Sequence, residues 1–208
     1  GIPRFNGDNR PLNSAFLFDH QAGLLGVYDK RHLVPFGEYV PFRSWVPFLD
    51  IIAGPADFVA GERNHLIAVP GIGQVQTLIC YEVIFAGQVI APTNRPDVMV
   101  NITNDAWFGT TIGPWQHLFQ SQLRAVEEGI PLVRVANTGI SAAFDGFGRQ
   151  LGTIPLGTRA YLDIALPSVL TAPVFARFGN AGFFALCFGV FGVAWVLYQR
   201  ERQQAYTA

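Results

Sequence analysis

Between Ala181 and Tyr198 the sequence reads AGFFALCFGVFGVAWVLY, eighteen residues without one charged side chain. At ~1.5 Å rise per residue a helix of that length reaches ~27 Å, close to the ~30 Å of a bilayer's hydrocarbon core. Arg177 stands before it, and Arg200 and Arg202 after it. Trp195 and Tyr198 lie near the second boundary, where amphipathic rings favour the headgroup region. The alternative is the buried helix of a large core, but the length favours a membrane crossing. The spacing therefore predicts a transmembrane helix over 178–199 and a short tail over 200–208. The two tail arginines place that tail on the cytoplasmic side and the preceding domain on the outer face.

The rest of the chain is globular in composition. Only 14% of its 208 residues are charged, against about 25% in ordinary soluble domains, while half are hydrophobic. A net charge of -1 offers no basic patch, which excludes electrostatic binding of nucleic acid. The apolar content excludes disorder, and two cysteines exclude a disulfide scaffold. Residues 1–13 carry no basic-then-apolar signal pattern. A domain on the far side of a membrane needs an earlier signal or anchor, so the expectation is the C-terminal piece of a longer membrane protein.

Segments of alternating or continuous apolar character predict strands at Leu12–Asp19, Gly23–Asp29, Leu66–Val69, Gln74–Cys80, Asp97–Thr103, Leu132–Ala136, Ser141–Phe144 and Ala160–Ile164. Gly113–Glu128 reads as a helix with Leu118, Leu123 and Val126 on one face and Gly129 as its stop. Prolines at 35, 41 and 47 break the aromatic stretch from Lys30 to Ile52. Many short strands and few helices give a mixed α/β layered sandwich over residues 1–167, a linker over 168–177, then the membrane helix.

Cys80 ends the apolar run TLIC and is followed by Tyr81 and Glu82. A thiol where a buried strand breaks toward a polar turn is held from behind and open in front, as a nucleophile requires. The alternative is a small buried hydrophobe. Cys187 falls inside the membrane segment, so the two cannot pair. Lys30 closes the strand GLLGVYD; beside a thiol it could stabilise thiolate and oxyanion, and otherwise it is a solvated charge. Glu38, in PFGEY, is either a loop carboxylate or an orienter of that lysine or of an attacking amine. Glu82 could support Cys80 by hydrogen bonds. Histidines 20, 32, 65 and 117 show no metal-binding spacing, so no metal site is expected. Gly71 and Gly73 do not complete a dinucleotide fingerprint. Asn101-Ile102-Thr103 matches a glycosylation acceptor only by chance, since it sits in a strand expected to be buried.

Three longer motifs, YDKRHLVPFGEYVPF (28–42), TLICYEVIF (77–85) and NITNDAWFGTTIGPWQH (101–117), resemble the nitrilase, or carbon-nitrogen hydrolase, superfamily. Together with RVANTGISAAFDGFG (134–148) and the terminal helix, they are most similar to the apolipoprotein N-acyltransferase family. The resemblance implies an α-β-β-α sandwich and a Glu-Lys-Cys triad, without metal or cofactor. By motif the lysine falls on Lys30, the nucleophile on Cys80, and accessory positions on Glu38, Tyr81 and Glu82. The triad glutamate lies upstream of the YDK motif in the family, and Gly1–Asp29 contains none. The 208 residues alone are accordingly expected to be inactive.

The resemblance further implies transfer of an acyl chain from a phospholipid, through a Cys80 thioester, to the amino group of a diacylglyceryl-cysteine apolipoprotein. That places the chain in the bacterial inner membrane with its catalytic domain on the periplasmic face. Phe36, Trp45 and Phe48, with Tyr39, Phe42 and Leu49, would guide acyl chains, or would simply pack under a proline-rich loop. Two other readings stay open: a membrane-tethered hydrolase using water as acceptor, and a binding module without catalysis.

Overall fold

Asp19 makes the first hairpin. Its carboxylate accepts from the backbone N–H groups of Gln21 (2.8 Å) and Gly23 (2.7 Å), closing the turn between two strands. The computed structural model describes residues 2–41, 57–61, 66–91 and 94–207. Within them β1 (Ile2–Phe5), β2 (Pro11–Phe18) and β3 (Leu24–Asp29) form an antiparallel three-stranded sheet. The predicted strands at Leu12–Asp19 and Gly23–Asp29 are β2 and β3, each within a residue at either end. β1 had no sequence signal: it is a four-residue edge strand holding a proline and exposed for most of its length.

The second sheet has six strands in sequential order: β4 (Ile67–Val69), β5 (Gly73–Ile79), β6 (Val98–Asn104), β7 (Leu132–Asn137), β8 (Ser141–Phe144) and β9 (Gln150–Ile154). Its centre, β5-β6-β7, is parallel, and its flanks are antiparallel hairpins. Parallel neighbours need a crossover. Between β6 and β7 it is α1 (Gly113–Glu128), closed by Gly129 in a left-handed conformation (φ 63°) that caps the last turn.

Alternation along β5 and β6 sends successive side chains to opposite faces. Leu78 and Met99 meet Ala125, Ile130, Leu132 and Phe144 on the helix side, with Leu118 packed against them. Ile79 and Ile102 meet Ala15, Tyr28 and Ile67 on the side of the three-stranded sheet. The layers run helix, six-stranded sheet, three-stranded sheet.

Two expectations need correction. Ala160–Ile164 is no strand; β9 occupies Gln150–Ile154 instead. The segment 160–163 is exposed and touches β9 through Leu162, which lies over Gly152: a Cβ there would lie 2.4 Å from its side chain. The face assigned to α1 is also wrong. Val126 is exposed, as are Trp115 and Phe119, while His117, Ser121, Arg124 and Glu128 are buried. The helix turns a polar stripe inward, and the functional site explains why.

After β9 the chain runs without regular structure to α2 (Val174–Phe178), then α3 (Ala181–Thr207). Leu170 N–H donates to Gly129 O (2.9 Å), and Pro173 abuts Gly129, which fastens this segment to the end of α1. Ala181–Arg200 is the one helix among the described residues long and apolar enough to cross a membrane, and none of it is buried against the domain.

Candidate active site

β5 ends at Ile79, and Cys80 opens a short 3-10 turn (Cys80–Ile84) with φ of +53°. A residue carrying a Cβ rarely adopts that conformation, and holding it costs about 1–2 kcal/mol. A sharp strand-to-helix turn of this kind is how a nucleophile is lifted out of a sheet. The Cys80 thiol is free and partly exposed, and packs beside the Ala15–Tyr28–Ile79 cluster.

Lys30 directly follows β3. Its side chain is 1% exposed, and Nζ donates to Glu38 Oε2 at 2.6 Å. Glu38 also accepts from Val34 N–H (2.7 Å) and Asn13 Nδ2 (2.8 Å), so the loop from 34 to 38 folds back over the lysine. The pairing read from the motif is a direct contact. The Lys30 backbone is held on both sides, donating to Asn13 O and accepting from Gly61 N–H.

Glu82 joins the two strand ends. Oε1 accepts from Tyr28 OH (2.9 Å), Arg31 N–H (2.7 Å) and His32 N–H (3.1 Å), and Oε2 accepts from Ile79 N–H (2.8 Å). One buried carboxylate thus ties the residues after Lys30 to the residue before Cys80. Burial, then the Glu82 charge, pushes the Tyr28 hydroxyl far above its ordinary value, so it stays a donor. Glu82→Gln puts an amide NH2 against one of these four donors and removes the charge. It is expected to cost about 2–3 kcal/mol, roughly 4–12 °C in the unfolding midpoint. A midpoint unchanged in thermal unfolding would show that the clamp carries no weight.

Beneath Cys80 lies a buried polar cluster that sequence reasoning missed. His117 Nε2 sits 3.2 Å from the Cys80 carbonyl oxygen, and Nδ1 sits 3.0 Å from Asp105 Oδ1. Arg134, 1% exposed, donates to Asp105 Oδ2 (2.6 Å), Asn101 Oδ1 (2.5 Å) and Ser121 Oγ (3.3 Å). Asn101 Nδ2 donates to the carbonyls of Leu78 and Cys80, both at 3.2 Å, and Thr103 Oγ1 donates to Asp105 (3.0 Å). Burial works to raise the Asp105 carboxyl, but the hydrogen bond from His117 and the Arg134 charge outweigh it and hold it below the usual range. Burial pulls Arg134 down from its ordinary value against the opposing Asp105 charge; a guanidinium stays charged regardless. Gly139 is required here, since a Cβ would lie 2.4 Å from Asp105 Oδ2. The signal was present as the stripe 117, 121, 124, 128 on α1: polar side chains at helical spacing, all buried.

Around the thiol, Tyr81 tilts against His117 (6.3 Å between ring centres) and meets Phe85 edge-on (6.2 Å), while His32 stacks on Phe85 (4.6 Å). Phe36 is exposed on the Glu38 loop, with a positive φ of its own. Trp45 and Phe48, with Phe42 and Leu49, lie outside the described residues. No three His, Cys, Asp or Glu side chains converge as a metal site would require among the described residues. A cavity of about 590 Å³ over β7 and β8, lined by Val133, Val135, Ser141, Thr158 and Tyr161, does not include Cys80 or Lys30.

The sequence profile of the carbon-nitrogen hydrolase family matches residues 1–174. The chain belongs to the carbon-nitrogen hydrolase family. Among carbon-nitrogen hydrolases of known structure, it is similar to a nitrilase-superfamily protein of Saccharomyces cerevisiae (TM-score 0.58, 17% identity, covering 76% of this chain and 55% of that one). It is also similar to an amidase of Nesterenkonia sp. AN1 (TM-score 0.53, 24% identity, 74% and 55%). These share the nitrilase fold, and the expected sandwich is that of its solved neighbours. Curated relatives are closer in sequence. An apolipoprotein N-acyltransferase of Bradyrhizobium diazoefficiens is 43% identical over 182 residues, 86% of this chain and 34% of that protein. One of Rhodopseudomonas palustris is 42% identical over 174 residues, 82% and 32%. This carbon-nitrogen hydrolase chain spans about a third of the length of those relatives.

Proposed function

We propose that Cys80 is the nucleophile of an acyl transfer from a phospholipid to the N-terminal amine of a diacylglyceryl-cysteine apolipoprotein. The observation that carries this reading is Cys80 held at a strained strand end, with Glu82 tying it to the buried Lys30–Glu38 pair. The likeness to enzymes named apolipoprotein N-acyltransferase supplies the substrate class.

The Cys80 thiolate adds to the ester carbonyl, and a C–S bond forms as the carbonyl oxygen takes the charge. Lys30 Nζ and the Tyr81 N–H stabilise that oxyanion. Collapse breaks the C–O bond and releases lysophospholipid, leaving a thioester. The amine then attacks; a C–N bond forms, the C–S bond breaks, and the thiol is regenerated. Glu38 and Glu82 are already engaged by hydrogen-bond donors. The base that takes the Cys80 proton is the glutamate that the family resemblance implies upstream of the YDK motif, and residues 1–208 without it are expected not to turn over. Substrates of this kind fit an enzyme anchored by α3 in the bacterial inner membrane, with residues 1–167 on the outer face, a linker over 168–177, the span over 178–199, and 200–208 in the cytoplasm. Phe36, Trp45 and Phe48 would meet the acyl chains.

The test uses the full-length protein in vesicles and a phospholipid with a labelled acyl chain. The expected result is a hydroxylamine-sensitive label on the protein, absent in Cys80→Ala, that moves to an amine-bearing diacylglyceryl peptide as an amide. Label retained by Cys80→Ala sinks the nucleophile assignment. Free fatty acid without amide, with the peptide present, replaces transferase by hydrolase.

A further inference from the structure

The nucleophile turn leaves one polar question open, namely what holds the Cys80–Tyr81 peptide in its orientation. Its carbonyl oxygen receives two side-chain donors from the helix side of the sheet, His117 Nε2 and Asn101 Nδ2, both at 3.2 Å. The chemistry of the neighbours dictates both. Arg134 can only donate, so the Asn101 atom facing its NH1 at 2.5 Å is the amide oxygen. The Asn101 NH2 is thereby turned toward the Cys80 carbonyl. His117 Nδ1 is held between Asp105 Oδ1 (3.0 Å) and Arg134 NH2 (3.1 Å), which directs Nε2 at the same carbonyl. A carbonyl is an acceptor, so Nε2 carries a hydrogen in this arrangement. The Arg134–Asp105 ion pair therefore sets the orientation of both donors.

A trans peptide is planar, and its C=O and N–H point in opposite directions. Fixing the Cys80 carbonyl toward His117 and Asn101 aims the Tyr81 N–H away from them, out of the helix side of the sheet. The Cys80 φ of +53° is a conformation that side-chain-bearing residues leave when nothing holds them. We propose that His117 and Asn101, oriented by Asp105 and Arg134, are positioning residues that turn the Cys80–Tyr81 peptide so that the Tyr81 N–H meets the oxyanion formed at Cys80. The proposal rests on the assignment of Cys80 as nucleophile and is independent of which acyl donor it uses.

A positioning role and a merely structural one differ in what they do to two reactions of the same sulfur. Acylation by p-nitrophenyl butyrate passes through an oxyanion: the thiolate adds to the carbonyl, then nitrophenolate leaves. Alkylation by iodoacetamide displaces iodide at a saturated carbon and forms no oxyanion. Both are read at the Cys80 peptide by mass spectrometry, in the full-length protein with Cys187→Ala to remove the second thiol. His117→Leu is expected to slow acylation by about 30- to 100-fold while alkylation stays within about threefold. His117→Gln, whose amide N–H reaches toward the position of Nε2, is expected to recover most of the loss. Asn101→Ala should show the same split and serves if His117→Leu does not fold. Acylation and alkylation falling in parallel, or acylation in both His117→Leu and Asn101→Ala within threefold of the parent, overturns the role. A parent protein that alkylates at Cys80 but never acylates overturns the nucleophile assignment as well, which separates the two failures.

Discussion

Asp105→Ala is expected to destabilise the domain by about 3–5 kcal/mol, roughly 6–20 °C in the unfolding midpoint. The size follows from what is left behind. Arg134 is 1% exposed and keeps its charge, so the substitution leaves a guanidinium in the core with no counter-charge, facing the Asn101 and Ser121 oxygens, the Ile140 carbonyl and His117 Nδ1. His117 Nδ1 loses Asp105 in the same step and keeps Arg134 NH2, 3.1 Å away. The pair Arg149–Asp145 is a control, because the Arg149 side chain is 73% exposed. Arg149→Ala there should cost under about 1 kcal/mol.

The Asp105 contribution has a definite pH window. Its folded value lies below the ordinary carboxylate value. The stabilisation is therefore fully present above about pH 4 and is lost as pH falls through the depressed value. Glu127 and Glu128 act in the opposite sense. Burial raises both, so their contribution weakens as pH rises through the raised values. Urea unfolding of parent and Asp105→Asn at pH 7 and at successively lower pH should give curves that converge in acid. A gap that stays constant down to pH 2 would show that the carboxylate charge is not what Arg134 requires.

The same cluster shows why the sequence revealed one half of the site and hid the other. Cys80 and Lys30 could be singled out because each follows an apolar strand where the chain turns, although only Cys80 is partly exposed there and Lys30 is buried. The Lys30–Glu38 contact was one of several open readings of the loop carboxylate, since nothing in a spacing of eight residues across a proline-broken loop requires it. His117 was weighed only as a metal ligand. Read instead with Ser121, Arg124 and Glu128, it marks a helix whose inward face is polar, which runs against the rule that apolar residues define the buried side. That rule placed Leu118 correctly against the core and Val126 wrongly. Buried polar stripes are stable only when partners elsewhere satisfy them. For His117 and Ser121 those partners are Asp105 and Arg134, twelve residues before and seventeen after His117, while Arg124 reaches the Ile84 carbonyl and Glu127, and Glu128 faces Arg95. Ala160–Ile164 failed because alternation alone does not supply a partner strand: residues 160–163 are exposed and Leu162 only touches β9 at Gly152.

Lys30 and Glu38 allow stability and catalysis to be separated. Lys30→Met removes a charge from a site 1% exposed and leaves Glu38 with Asn13 and Val34 as its remaining donors. Breaking a buried pair from one side is expected to cost about 2–4 kcal/mol. Lys30→Met combined with Glu38→Gln removes both charges, so most of that loss should return, since a buried ion pair and a neutral pair of similar volume are often close in stability. Catalysis should not follow. If the Lys30 ammonium stabilises the oxyanion, acylation of Cys80 by p-nitrophenyl butyrate falls by about 10²- to 10³-fold in the single variant and stays there in the double. Urea titration reads the first quantity and peptide mass spectrometry the second. A double variant that regains both stability and acylation would make the pair a structural strut, and the oxyanion would then depend on the Tyr81 N–H alone. A double variant that regains stability but not acylation assigns the ammonium to the reaction. The 2.6 Å contact with Glu38 then holds that ammonium in place for catalysis.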